Sequence, residues 1–166
     1  MSIAKFNKWQ SVDGVTRNAV LQVVAQENRG YANTFSNNTT STYADMLNMS
    51  ATITPTSATS KILVTSVGGG LMLGTASSAY FRLLANDEVV WASDRWAYKS
   101  DDSTAWSPVN WGSSYLHSPA TTNPVTYKFQ FAAASGTTPT ARIGDSSTGT
   151  DSQNTYTAVF LMEIAQ

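Results

Sequence analysis

The sequence predicts an all-β fold, an antiparallel, jelly-roll-like β-sandwich of roughly eight strands. Three observations carry this. Val125, Tyr127, Phe129 and Phe131 alternate with Thr126, Lys128 and Gln130, the two-residue period of a strand that buries one face. Ala79–Ala85 and Glu88–Ala92 are β-rich runs separated only by Asn86-Asp87, a two-residue hairpin signal. No stretch shows helical periodicity, and no fixed-period repeat points to a solenoid or propeller.

Taken in order, residues 1–18 read as an arm and residues 19–166 as the sandwich domain. The arm carries apolar points at Ile3, Phe6 and Trp9 and a turn at Asp13-Gly14. Ala19–Val24 is a strand that the polar cluster from Gln26 to Gly30 ends. Residues 33–42 read as an exposed connection with a short strand around Phe35. Met49, Ala51 and Ile53 alternate with Ser50, Thr52 and Thr54, and Pro55, which has no amide hydrogen, stops that strand. Thr56–Ser60 is a polar connection, and Lys61 opens the β-branched run Ile62–Val67. These two strands are expected to pair at the centre of the sandwich. Gly68-Gly69-Gly70 should close the second at a bend or a close backbone approach, before Leu71–Leu73.

After the Asn86-Asp87 hairpin, residues 93–123 read as irregular, with Pro108 and Pro119 among several aromatics. Gly136–Pro139 is a turn, Ala141–Ile143 a short strand and residues 144–154 a polar loop. In the closing strand, Thr155–Ala165, one face carries Tyr156, Ala158, Phe160, Met162 and Ile164. Val159 and Leu161 make it apolar on the other face too, as fits a central strand or a subunit interface.

A chain of 166 residues is most simply one domain, able to bury roughly 70% of its unfolded surface. Charged residues make up 13% of it, about half the usual share of roughly 25%. That thin charge coat suits a β-protein of an assembly or fibre better than a freely diffusing enzyme. A net charge of −1 leaves no basic footprint, so nucleic acid is not an expected partner. The absence of cysteine removes disulfides, thiolate metal sites and a cysteine nucleophile together. Met1–Trp9 has no apolar core or cleavage site, and no apolar run approaches the ~20 residues that span a bilayer. A soluble product made in the cytoplasm, without membrane insertion, is expected.

No constellation for catalysis stands out. His117 is the one histidine and lacks a Gly-x-Ser-x-Gly elbow, so it reads as structural. Asp101-Asp102 are adjacent, and on a strand their side chains would diverge. The stretch from Asp145 to Asp151 faintly resembles a calcium loop but lacks the further carboxylates and closing glutamate, which leaves a solvated turn. Gly68–Gly70 has no following helix or Lys-Ser/Thr pair and is no phosphate cradle. The chain is therefore expected not to be an enzyme and to need no metal or cofactor.

Aromatic residues are the stronger feature. Trp91, Trp96, Tyr98, Trp106, Trp111 and Tyr115 gather four of the five tryptophans in one segment. Such rings either complete the core and subunit packing or form a surface for a protein partner or a glycan. The surface candidates are Trp96, Tyr98, Trp106, Trp111 and Tyr115, with Asp94, Arg95, Lys99, Asp101 and Asp102 supplying polar contacts.

Ala51-Thr-Ile-Thr-Pro-Thr-Ser-Ala-Thr-Ser-Lys-Ile-Leu-Val64 resembles a segment of virion structural proteins of tailed bacteriophages, particularly those of cyanobacteria and marine bacteria. Lys8-Trp-Gln-Ser-Val-Asp-Gly-Val-Thr-Arg-Asn-Ala-Val-Leu-Gln-Val-Val24 and Phe160-Leu-Met-Glu-Ile-Ala165 resemble the same group, so the three pieces bracket almost the whole chain. The resemblance implies a jelly-roll virion component that forms a homotrimer. Its role would be capsid decoration or cement, a head fibre, or a tail-fibre or receptor-binding tip that recognises host-surface glycan. Its partners would be phage capsid or tail proteins, with Phe6 and Trp9 as candidate attachment residues in the arm.

Overall fold

The computed structural model describes residues 8–10, 16–29, 33–36, 43–73, 78–94, 96–98, 100, 107–134, 140–143 and 156–166. Within them lie thirteen strands and no helix: β1 (Lys8–Gln10), β2 (Thr16–Asn18), β3 (Val20–Arg29), β4 (Asn33–Ser36), β5 (Ala44–Ile53), β6 (Lys61–Leu73), β7 (Ser78–Ala85), β8 (Glu88–Ala92), β9 (Ala97–Tyr98), β10 (Ser107–His117), β11 (Val125–Ala134), β12 (Thr140–Ile143) and β13 (Tyr156–Ile164).

Eight principal strands make two antiparallel layers, ordered β3-β13-β6-β10 and β5-β11-β7-β8. The short β12 and β4 continue the first layer, β9 adds to β7 in the second, and β1 and β2 pair as a separate two-stranded sheet. Apart from the β7–β8 hairpin, every step between consecutive principal strands swaps layers. That winding is a jelly roll.

Alternation decides what lies between the layers. Val125, Tyr127, Phe129 and Phe131 on β11 all point inward and are almost wholly buried. They pack with Met49, Ile53, Phe81 and Leu83 of their own sheet against Ile62, Val64, Val159 and Leu161 of the other. Burying side chains of this size stabilises by roughly 1.5–3 kcal/mol each. The β7–β8 hairpin turns on two residues with positive φ, Asn86 (48°) and Asp87 (68°), as a type I′ turn requires. Asn86 Oδ1 accepts the Thr126 amide, and the Asn86 amide is donated back to the Thr126 carbonyl, which fastens the turn to β11.

Three expectations are corrected. β5 and β6 do not pair: β5 is the edge of one sheet, β6 lies inside the other, and Thr54–Ser60 carries the chain across the end of the sandwich. Both strands alternate, but alternation tells which face is buried and says nothing of which strand is the neighbour. The triple glycine does not close β6, which runs on to Leu73. At Gly68 the close approach is to the Trp111 side chain. Residues 107–117, read as irregular, form the long strand β10 paired with β6. β13 is apolar on both faces: Thr157, Val159, Leu161 and Glu163 point inward, and Phe160, Met162 and Ile164 face outward.

One corner is held by a buried carboxylate. Glu163 Oε1 accepts hydrogen bonds from the Thr56 amide (2.7 Å) and Thr56 Oγ1 (2.8 Å), while Oε2 accepts from Gln22 Nε2 (2.7 Å). Gln22 Nε2 also donates to the Thr54 carbonyl at 2.7 Å. The last strand thereby grips the connection that joins the two layers. Burial pushes the Glu163 pKa up, but hydrogen bonds from Gln22, Ser60 and Thr56 together outweigh it and hold the carboxyl below its ordinary value.

Candidate functional site

The aromatic segment divides between core and surface. On β10, Trp111, Ser113, Tyr115 and His117 stand opposite Gly68, Ser66, Val64 and Ile62, all on the inner face of the sheet. Trp111 is only 6% exposed and stacks on Phe81, with ring centroids 5.1 Å apart and planes 7° from parallel. Trp96 meets the edge of Phe81 at 6.0 Å and of Trp91 at 6.3 Å, so both tryptophans close the end of the core. Tyr115 is half-buried against that core. Tyr98, 54% exposed, is the ring of this group that faces solvent among the described residues. Trp106, Arg95, Lys99, Asp101, Asp102 and the stretch from Asp145 to Asp151 lie outside the described residues. So does Phe6, whereas Trp9 takes a place on β1 opposite Arg17.

His117 joins the layers. Its Nδ1 is 2.8 Å from the buried Tyr127 hydroxyl, a hydrogen bond from β10 to β11 across the interior. Burial holds the imidazole pKa below its ordinary 6.5 and pushes the Tyr127 phenol up. Its other side borders a cleft of about 310 Å³ with Asn86, Glu88, Val90, Pro119 and Thr121. Ala120, in the loop beside this cleft, has a φ of 52°. Among the described residues, no three His, Asp or Glu side chains gather closely enough to hold a metal ion.

The outer faces of the two sheets differ sharply. On the β5 sheet a polar chain of contacts crosses the strands. Arg82 Nε donates to Gln130 Oε1 (2.6 Å), Gln130 Nε2 to Asp45 Oδ1 (2.5 Å), and Lys128 Nζ bridges Asp45 (3.2 Å) and Asp87 (3.0 Å). Thr52 and Thr126 share a hydroxyl hydrogen bond at 2.8 Å, and the Arg82 guanidinium sits 4.2 Å from the Tyr43 ring centre. This is a face built for water. On the β3 sheet, register sets Val23, Met162, Leu63 and Leu116 side by side across β3, β13, β6 and β10. Phe160 and Ile164 flank that row on β13. Val20, Val23, Val67 and Leu116 are 56, 57, 37 and 48% exposed.

No family model and no curated protein matches the chain. Among solved structures, a chain of infectious bursal disease virus, Gx strain, superposes with a TM-score of 0.45 at 12% identity, covering 99% of this chain and 44% of that one. A mutant VP2 protein of the same virus, in derived T=1 particles, gives a TM-score of 0.42 at 14% identity, covering 90% and 41%. This chain thus spans less than half the length of either.

Sequence reasoning marked the β13 part of the outward row, where Val159 and Leu161 alternate with Phe160 and Met162, and passed over the rest. On β3 the signal is Ala19–Val24, apolar at every position but Gln22, because a strand apolar on both faces has something to cover on each.

Proposed function

We propose that this chain is a virion-surface structural protein of a tailed phage, made in the host cytoplasm and resident on the particle. It serves as a homotrimeric jelly-roll module, most simply as capsid decoration or cement or as a head fibre. Residues 1–18 attach it to capsid or tail proteins, with Phe6 and Trp9 as anchoring side chains. Its work is physical, through buried contact area, with no turnover and no cofactor.

The observation that carries this reading is the inward turn of the aromatic segment. Trp111 is stacked in the core and Trp96 closes it, so these two rings fill the sandwich and are withdrawn from stacking on sugar. The jelly-roll winding and the three segments that resemble phage virion proteins agree with it. A receptor-binding tip that takes host glycan is the second reading, favoured by the outward Tyr98 alone.

The test is the mass of the purified chain by light scattering, together with its binding to phage particles, before and after removal of residues 1–18. A trimer that survives the deletion but no longer binds particles is the expected result. A stable monomer with no affinity for particles overturns the proposal.

A further inference from the structure

The cleft of about 310 Å³ is lined by the start of β8 and the end of β10, each the outermost principal strand of its layer. Asn86, Glu88 and Val90 border it on one side, and His117 with Pro119 and Thr121 of the following loop on the other. Ala120, between those last two, takes a left-handed φ of 52° that alanine disfavours, and its neighbours on either side both line the cleft. Such a volume sits at the lower end of the ~300–1,000 Å³ of small-molecule sites, so the occupant is no larger than about one ring.

The polar groups fix the character of that occupant. Tyr127 is fully buried, and a phenol that accepted from Nδ1 there would have to bury its own proton unpaired. Donation from the phenol to Nδ1 avoids this and leaves the imidazole proton on Nε2, on the side that borders the cleft. Asn86 Oδ1 is taken by the Thr126 amide, which leaves Nδ2 to donate. Thr121 Oγ1 accepts the Asn123 amide and keeps its hydroxyl proton to give. Glu88 is the carboxylate of the set, exposed and able only to accept.

Three donors and one anionic acceptor narrow the ligand chemistry. An anion would be repelled by Glu88, and an ammonium, itself only a donor, would leave the three donors unmatched. A metal ion would need Nε2 without its proton, and among the described residues no three His, Asp or Glu gather to hold one. Neighbouring hydroxyl groups answer to every member: they give protons to the carboxylate and accept from His117 and Asn86. The C–H face of their ring then rests on Val90 and Pro119.

The geometry points to a site for a single neutral sugar ring in this cleft, with Glu88 accepting from two neighbouring hydroxyls and His117 Nε2 donating to the ring's oxygens. It goes beyond the virion reading and does not depend on it. Nor is it the Tyr98 surface of the second reading, because Tyr98 pairs with Ser78 at the start of β7 and Asn86 follows the end of that strand. The ring can belong to a free monosaccharide or to one residue of a glycan chain.

His117 is the one histidine of the chain, so its imidazole resonances report on the cleft without ambiguity. In nitrogen-correlated spectra of the full chain at neutral pH, the Nε2–H tautomer is expected. Titration with D-glucose, D-galactose, D-mannose and L-fucose should move those resonances saturably for at least one sugar, with a dissociation constant on the order of 1–10 mM for so small a ligand. Glu88→Ala, at an exposed position, should weaken that binding about tenfold or more and leave the thermal midpoint unchanged. Asp94→Ala, beyond the far end of β8, should leave the binding as it is. Methyl glycosides separate the two sources: retained binding assigns a residue of a glycan, and lost binding a free monosaccharide, both within the proposal. An Nδ1–H tautomer, an imidazole unmoved by every sugar, binding undiminished by Glu88→Ala, or tighter binding of ethanolamine than of any sugar overturns it. Binding to phage particles has no part in these readouts, so the virion reading can fail while this one stands.

Discussion

Trp111 lies with its indole against Gly68, its register partner on β6, and no β-carbon fits between them. The glycine is there for its missing side chain, since the strand passes through it without a turn. Gly68→Ala should therefore push the indole off Phe81 and destabilise the fold by about 1–3 kcal/mol, the usual cost of overpacking. Urea unfolding followed by tryptophan fluorescence measures this. Combining it with Trp111→Phe should recover part of the loss, because the smaller phenyl ring lacks the fused Nε1–Cε2–Cζ2 edge that lies where the β-carbon would sit. Equal costs in both backgrounds would show that the glycine acts through the backbone alone.

Glu163 sets an acid limit. Its folded pKa lies below the ordinary 4.5, so its contribution is complete above that value and is lost as pH falls through the lower folded pKa. The urea midpoint should drop as pH is lowered below about 4.5, and Glu163→Gln should flatten that drop. At neutral pH, Glu163→Ala leaves the Thr56 amide and hydroxyl and the Gln22 amide short of an acceptor, at a cost on the order of 2–3 kcal/mol. A variant as stable as the wild type would remove the carboxylate from the account of the β5–β6 connection.

His117 should titrate below 6.5, visible in its imidazole proton resonances. Because the folded pKa is depressed, its contribution to stability is full above the unfolded value and declines as pH falls below it. His117→Leu strands the Tyr127 hydroxyl in the core, with an expected loss of about 1–3 kcal/mol. Tyr127→Phe in the same background should cost less than it does alone, which a double-mutant cycle reads directly.

The Asn86-Asp87 turn uses a non-glycine residue at its second position, at a φ of 68°. Asp87→Gly should raise the thermal midpoint, because glycine takes positive φ without a steric penalty. The substitution also removes the Lys128–Asp87 ion pair, but the aspartate is solvent-exposed there and Asp45 still holds the ammonium. A lower midpoint would mean that the ion pair outweighs the turn.

The principal strands are legible where one face is apolar and the other polar, as on β11, and where a two-residue turn punctuates, as between β7 and β8. What fails is the assignment of neighbours. A jelly roll pairs strands far apart in sequence, and nothing in Met49–Ile53 or Ile62–Val67 states that these consecutive strands belong to different sheets. β10 escapes because serines occupy several of its positions, diluting the alternation of Trp111, Tyr115 and His117. In the candidate surface, proximity in sequence groups Trp96, Tyr98, Trp111 and Tyr115, yet alternation on two strands sends Trp111 inward and Tyr98 outward. The direction of a ring depends on the parity of its position, which composition cannot carry.

The position of β13 between β3 and β6 bears on the timing of folding. The strand translated after all the other principal ones is inserted into the middle of its layer, between partners made much earlier. A nascent chain on the ribosome can assemble the β7–β8 hairpin and the β5-β11-β7 layer, but the opposing layer stays split until β13 emerges. Its apolar exterior, which needs Phe160, Met162 and Ile164 in register with β3, therefore does not exist on an unfinished chain. The outward row Val23–Met162–Leu63–Leu116 is therefore continuous only once the closing strand is in place.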